Sequence, residues 1–172
     1  DIADLKGITI EGDTITLGAM TTQHELITDD ALFAACPIIR EAALQIADPQ
    51  VRYMGTIGGN VANGDPGNDM PGLMQCLDAS FTLVGADGTR SVPARDFYES
   101  AYMTERDDEE ILTQITFSAT GAGYAYEKQK RKIGENVQVV VETLKKLEAD
   151  IRARYDETGK AIEKRVASIK DG

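Results

Sequence analysis

The chain has 172 residues, of which 42% are hydrophobic, and a net charge of −11. This length supports one sizeable core. Nucleic-acid binding by residues 1–123 is excluded, because 6 lysines and arginines there stand against 20 aspartates and glutamates that would repel phosphates. No run of 18 apolar residues predicts a membrane span, and the first residues do not have the pattern of a secretory signal.

The chain has few cysteines and histidines that could bind a metal or act in catalysis. Cys36 and Cys76 have no CxxC spacing and are expected to be buried thiols in a reducing compartment, which predicts a cytoplasmic protein. A single histidine, His24, argues against a histidine-based metal site and against a Ser/His catalytic pair. We therefore expect no metal ligands and no catalytic side chains.

The first part of the chain predicts a β-hairpin followed by helices. Alternating β-branched residues at 8–10 and 14–17 flank a glycine turn. Thr21 or Thr22 is expected to cap a helix, and Asp29-Asp30 to open a second. A third helix is predicted from Ile38 to Ala47, with Pro37 in its first turn and a stop at Asp48-Pro49.

The second part predicts strands with one helix before them. The helix is expected over 72–77 after Pro71, and the strands over 80–84, 90–92 and 111–117, with a short helical turn at 93–98. A further strand is expected to start at 124–126. The acidic run 107–110 has no EF-hand spacing and is expected to be a solvated loop rather than a calcium site.

A glycine pair at Thr56–Asn60 suggests a phosphate-binding loop. Two glycines permit positive φ and a close approach, and the Thr56 hydroxyl and Asn60 amide can bond phosphate or ribose oxygens. Consecutive free N–H groups in such a loop can form an anion-binding concavity. The alternative is an ordinary tight turn, which the glycine pair alone favours.

Five segments in order carry a family resemblance, at 15–22, 46–52, 55–62, 65–71 and 123–128. Over residues 1 to about 134, the chain resembles the flavoprotein (medium) subunit of molybdenum-containing hydroxylases, most closely that of aerobic carbon monoxide dehydrogenase. The resemblance implies an α+β fold, the middle subdomain of a PCMH-type FAD-binding fold, with an antiparallel sheet flanked by helices. It also implies FAD as cofactor and molybdenum and iron–sulfur subunits as partners.

The resemblance also implies the cofactor-binding residues. Its Thr-Ile-Gly-Gly-Asn motif binds the FAD diphosphate, an acidic segment lies near the cofactor, and a late strand lies near the isoalloxazine ring. Lys128 also matches a cofactor-binding position of the family. The matching residues here are Thr56, Ile57, Gly58, Gly59, Asn60, Asp65, Asp69, Leu112, Ile115 and Lys128. These side chains are expected to bind the cofactor, and the flavin itself carries the redox chemistry.

The chain also departs from the family. By the resemblance, the family's N-terminal subdomain, with its second diphosphate motif, is expected to be absent from this chain. Tyr53 stands where relatives have a polar residue, so it could stack on a ring or fill cofactor space. The predicted domains are 1–123 (FAD-binding type), 124–134 (a connecting segment) and 135–172. The last has an 11-residue apolar recurrence from Leu144, which predicts a long amphipathic helix or a hairpin turning at Gly159. Such a tail points to a chimera or a truncated paralogue.

Two functions follow from these observations. One is a flavin-binding module that passes electrons through FAD. The other is a non-enzymatic scaffold that has lost FAD and uses its helical tail for packing or self-association. The sequence leaves open whether the chain alone is an enzyme.

Overall fold

The fold is that of a computed structural model, which describes residues 2–120 and 123–128. The chain divides into two units, Asp1–Tyr126 and Glu127–Gly172. The architecture below is that of the first unit. The predicted helical tail at 135–172 and its self-association lie outside the described residues, as does most of the predicted connecting segment.

Within residues 2–120 and 123–128, seven strands form two antiparallel sheets. Their bounds are Ile8–Glu11 (β1), Thr14–Gly18 (β2), Ser80–Gly85 (β3), Gly88–Pro93 (β4), Tyr98–Ser100 (β5), Met103–Thr104 (β6) and Ile111–Ser118 (β7). The larger sheet has the order β1-β2-β7-β3-β4, and β5 pairs with β6. The last long strand in the sequence is therefore the central strand of the sheet.

Short helices surround this sheet. After a 3-10 turn at Ala3–Leu5 come Gln23–Thr28 (α1), Asp30–Ala35 (α2), Pro37–Leu44 (α3), Pro49–Met54 (α4), Ile57–Ala62 (α5) and Asp69–Cys76 (α6). Thr22 and Glu25 form a capping box at α1, as the sequence predicts. The side chains of Asp29, Asp48 and Thr56 cap α2, α4 and α5, each by accepting one backbone N–H of the first turn.

The core lies between the helices and one face of the sheet. Buried and more exposed residues alternate along β2, β3 and β7, which is typical of an antiparallel sheet with one covered face. Leu17, Ile115 and Phe81 are paired side by side across three strands, and all three are fully buried. The predicted α+β class with an antiparallel sheet and flanking helices is confirmed.

Some predicted elements are wrong. The third helix ends at Leu44 rather than Ala47, and a separate helix, α4, follows it. Asp48-Pro49, taken as a stop signal, is also a start signal, because the Asp48 side chain accepts from the Val51 N–H and proline occupies the first turn. Residues 94–96 form a turn rather than a helix, and residues 124–126 form no strand.

Candidate functional site

The Thr56–Asn60 segment is the start of a helix, so its prediction as a loop is wrong. Thr56 is the N-cap of α5, and its Oγ1 accepts the Gly59 N–H at 3.1 Å. The N–H of Ile57 donates to the Thr21 carbonyl and that of Gly58 to the Ala19 carbonyl, each at 2.9 Å. The Asn60 N–H donates to the Thr56 carbonyl at 3.1 Å. The four N–H groups of this turn are thus all bonded within the protein, and the predicted concavity of free N–H groups is not formed.

The two glycines serve different purposes, and neither has a positive φ. A Cβ on Gly58 would lie 2.5 Å from the Ala19 Cβ and 2.7 Å from the Ala19 carbonyl oxygen, so α5 packs on this segment with no room for a side chain. A Cβ on Gly59 would meet only the Thr56 Oγ1, at 3.0 Å. Gly58 therefore permits helix packing, and exposed Gly59 leaves the outer surface of the turn bare.

A cleft of about 320 Å³ opens on this bare surface. Its walls are largely apolar and come from the 3-10 turn, the segment after β2 and the start of β7, and its polar side chains are a hydroxyl, a guanidinium and a carboxylate. The lining residues are Leu5, Ala19, Met20, Thr56, Gly58, Gly59, Ala62, Arg106, Glu110, Ile111 and Leu112. We call this space the glycine cleft.

The glycine cleft brings together four of the residues that the family resemblance selects: Thr56, Gly58, Gly59 and Leu112. Ile57 instead points into the core and is 0% exposed. Asn60 follows Gly59, and its Oδ1 is buried with no hydrogen-bond partner among the described residues. A buried amide oxygen without a partner is costly, which makes this atom a candidate acceptor for a ligand hydroxyl.

The other selected residues lie elsewhere. Asp65 accepts the Gly67 N–H at 2.8 Å and lines a different cavity, and Asp69 accepts a hydrogen bond from the Tyr126 hydroxyl. Ile115 is 0% exposed, paired with Leu17 and Phe81 in the sheet, so it does not open on the cleft. Lys128 belongs to the second unit. Roles for these four residues at the cofactor stay predictions.

The cleft also contains two charged residues, Arg106 and Glu110, that the sequence patterns do not mark as site residues. Glu110 is not part of a solvated loop: its side chain is 12% exposed, and the Arg90 Nε and Nη2 donate to its two carboxylate oxygens at 2.5 and 2.6 Å. The Arg90 Nη1 donates to Glu105 as well. These hydrogen bonds from Arg90 lower the pKa of Glu110 to about 2. The sequence signal for this ion pair is Arg90, an arginine within the predicted strand at 90–92.

The Arg90–Glu110 pair predicts an acid-sensitive contribution to stability. The pKa of Glu110 is about 2 in the folded chain and 4.5 ordinarily, so the contribution is complete above about pH 4.5 and is lost as the pH falls towards 2. At neutral pH the unfolding free energy of the wild type should be larger than that of Glu110→Gln. This difference should shrink as the pH falls from about 4.5 towards 2. Urea titrations at several pH values measure it. Glu109→Gln, at the exposed neighbouring carboxylate, is the control, and an equal pH dependence of both variants would contradict the assignment.

Tyr53 does not fill the glycine cleft. Its side chain is 58% exposed, and its ring lies 4.1 Å from the His24 ring, centroid to centroid.

Among residues 2–120 and 123–128, no group of three or more His, Cys, Asp or Glu side chains could hold a metal. In the same residues no helix has the length and apolarity to cross a membrane.

Comparison with known proteins identifies the family. Residues 1–118 match the family model described as the FAD binding domain in molybdopterin dehydrogenase. The chain belongs to this family. It is 62% identical over 137 residues to the carbon monoxide dehydrogenase medium chain of Afipia carboxidovorans, covering 78% of this chain and 48% of that relative. It is 47% identical to the Hydrogenophaga pseudoflava medium chain, covering 78% and 47%.

Solved structures agree with the family assignment. Reconstituted carbon monoxide dehydrogenase from Oligotropha carboxidovorans matches with a TM-score of 0.74 and 60% identity, over 78% of this chain and 48% of that one. Quinoline 2-oxidoreductase from Pseudomonas putida 86 matches with a TM-score of 0.73 and 29% identity, over 78% and 47%. The family resemblance seen in the sequence is confirmed, and nothing in these comparisons favours a scaffold without FAD. The chain spans about half the length of these relatives.

The glycine cleft fits part of a flavin nucleotide. Its apolar walls suit an aromatic ring, and glycine leaves the surface of α5 open to close approach. The Thr56 hydroxyl accepts from Gly59 but donates its own hydrogen to no atom of the described part of the chain. The cleft therefore provides this hydroxyl as a donor for a phosphate or hydroxyl oxygen, while the buried Asn60 Oδ1, which does not line it, is an unpartnered acceptor beside Gly59.

Proposed function

We propose that this chain is the FAD-binding part of an electron-transfer subunit in a molybdenum-containing hydroxylase similar to carbon monoxide dehydrogenase. The observation that carries the proposal is the glycine cleft, which a chain of the FAD-binding family forms with the family's own motif at Thr56–Asn60. Bound FAD would supply the redox chemistry, accepting electrons and passing them on.

The residues of the cleft would bind and orient the flavin nucleotide. The Thr56 hydroxyl can donate to a phosphate oxygen, and the Asn60 Oδ1 can accept from a sugar hydroxyl. Leu112, at the start of the central strand, adds an apolar contact that excludes water. No proton transfer by a side chain is required of this arrangement.

The proposed partners are a molybdenum subunit and an iron–sulfur subunit. Relatives are described as medium chains, and one matching structure is described as a Cu,Mo carbon monoxide dehydrogenase. Val51, Tyr53 and Met54 on α4 are exposed apolar side chains, which suits contact with another chain. A cytoplasmic location is part of the proposal and is supported by two free thiols, Cys36, which is buried as predicted, and Cys76, which is exposed rather than buried.

Binding of FAD to the purified chain tests the proposal. We expect saturable quenching of flavin fluorescence and a shift of the flavin absorbance in wild type. Ala62→Met should weaken FAD binding about tenfold or more, because Ala62 lines the cleft and an added side chain in a filled space costs about 1–3 kcal/mol. The change suits a helix, so the fold should persist.

The matched control is Ala34→Met, which adds the same side chain at an exposed position of α2 and should leave FAD binding unchanged. Wild type without saturable binding would contradict the proposed function. Equal affinities in wild type and Ala62→Met would show that FAD binds outside the glycine cleft.

A further inference from the structure

The glycine cleft needs a donor for a diphosphate that the turn of α5 does not provide. The N–H groups of residues 57–60 donate to Thr21, Ala19 and Thr56. Of the turn, the Thr56 hydroxyl and the Asn60 side-chain amide are left to donate, and both are neutral. Neutral donors are weak partners for a group with two negative charges, so a cationic side chain in the cleft would strengthen binding.

Arg106 is the cationic side chain that lines this cleft. It is partly buried, and its Nη1 donates to the carbonyl oxygens of Asp107 and Glu110 at 2.7 Å each. Its Nε and Nη2 donate to no atom of residues 2–120 and 123–128, and no carboxylate there lies within ion-pair distance of it. Arg40, Arg90 and Arg95 all have such a carboxylate partner.

The carboxylates Glu105 and Glu110 near Arg106 are not within ion-pair distance of it. Arg90 is nevertheless one charge against these two carboxylates, and the charge of Arg106 adds to the hydrogen bonds from Arg90 in lowering the pKa of Glu110. Glu110 lines the same cleft, but Arg90 holds both its oxygens, and one of them also accepts the Asp107 N–H. Glu105 is held by Arg90 too. Asp107, Asp108 and Glu109 are exposed, so water and salt screen their charges. An arginine fork with unused donors in an apolar cleft is suited to a phosphate group.

Arg90 holds the segment that presents Arg106. Its Nη2 donates to the Glu105 carbonyl at 3.0 Å on one side of Arg106, and its pair with Glu110 lies on the other. Two backbone bonds from Arg106 itself close the turn. The guanidinium is therefore positioned before any ligand arrives, which lowers the cost of binding.

From these contacts we infer that Arg106 binds the diphosphate of the flavin nucleotide in the glycine cleft. The inference rests on the proposed function and adds to it a residue outside the Thr56–Asn60 motif. In this inference Arg106 contacts the charged phosphate groups of the flavin nucleotide rather than its isoalloxazine ring. Affinity for FAD should depend on Arg106 and on salt, and affinity for riboflavin, which has no phosphate, should depend on neither.

Titrations of wild type, Arg106→Gln and Arg106→Lys with FAD and with riboflavin test the inference. Arg106→Gln should weaken FAD binding about tenfold to a hundredfold and flatten its salt dependence, with riboflavin affinity unchanged. Arg106→Lys keeps the charge and should retain part of the FAD affinity. Arg95→Gln removes an arginine that does not line the cleft and should behave like wild type. Urea unfolding of each variant confirms that it is folded.

FAD binding that is equal in wild type and Arg106→Gln would overturn the inference and leave the proposed function standing. A parallel loss of riboflavin affinity would also overturn it. Wild type that binds no FAD would contradict the proposed function itself. In that case inorganic pyrophosphate, followed by NMR shifts of the Gly59 and Arg106 signals, decides the role of Arg106. Shifts lost in Arg106→Gln support the inference, and no shifts in wild type overturn it.

Discussion

Gly58→Ala is expected to destabilise the protein by about 1–3 kcal/mol or more, although alanine is the better helix former. The new Cβ would lie 2.5 Å from the Ala19 Cβ and 2.7 Å from its carbonyl oxygen, so it meets backbone that cannot simply rotate away. Separating α5 from this segment would also stretch the bond from the Gly58 N–H to Ala19. Urea unfolding of wild type and variant measures the loss.

Gly72→Ala is the matched control. Gly72 is also a helical glycine, in α6, and a Cβ there would have no atom within 4 Å. The helix preference then acts alone, and this variant should be unchanged or more stable by up to about 1 kcal/mol. Equal effects of the two substitutions would show that packing on Ala19 is not why Gly58 is a glycine.

Ile115→Ala is expected to cost about 2–5 kcal/mol of unfolding free energy, the range for truncating a buried isoleucine. The side chain is fully buried at the centre of the sheet, between Leu17 and Phe81. Ile111→Ala, on the same strand at an exposed position, should change stability by about 0.5 kcal/mol or less. Thermal or urea unfolding of both variants gives the comparison.

A milder substitution of Ile115 tests whether the residue contacts the cofactor as well as packing in the core. Ile115→Val removes one methylene and should cost only about 0.5–1.5 kcal/mol, leaving a folded protein for FAD titration. Because Ile115 does not line the glycine cleft, its FAD affinity should equal that of wild type. A weakened affinity in folded Ile115→Val would restore this residue to the cofactor site.

Local signals in the sequence were sufficient for much of the fold. Alternation around Gly12 predicts the first hairpin, Thr22 and Glu25 predict the start of α1, and the 111–117 pattern predicts the central strand. The ordered segments around Thr56–Asn60 predict the family, which the comparisons confirm. Each of these elements depends on residues close together in the chain, and the family depends on five such local segments in order.

The site was less predictable because its determinants are far apart in the chain. Gly58 is a glycine because of Ala19, and Glu110 is held by Arg90 across a turn of the chain. Neither pairing leaves a periodic trace in the sequence. Thr56 did carry a capping signal, but a glycine pair argues against a helix when read locally, and burial of the turn outweighs that preference.

The bonded N–H groups of α5 also bear on how the wall of the glycine cleft responds to a ligand. The amides of residues 57–60 all have internal partners, so the backbone of this turn should keep its shape when a nucleotide binds. Its amide hydrogens should therefore exchange slowly with solvent in the ligand-free protein. A ligand would meet a surface already ordered by folding, and the loss of entropy on association would come mainly from the ligand itself.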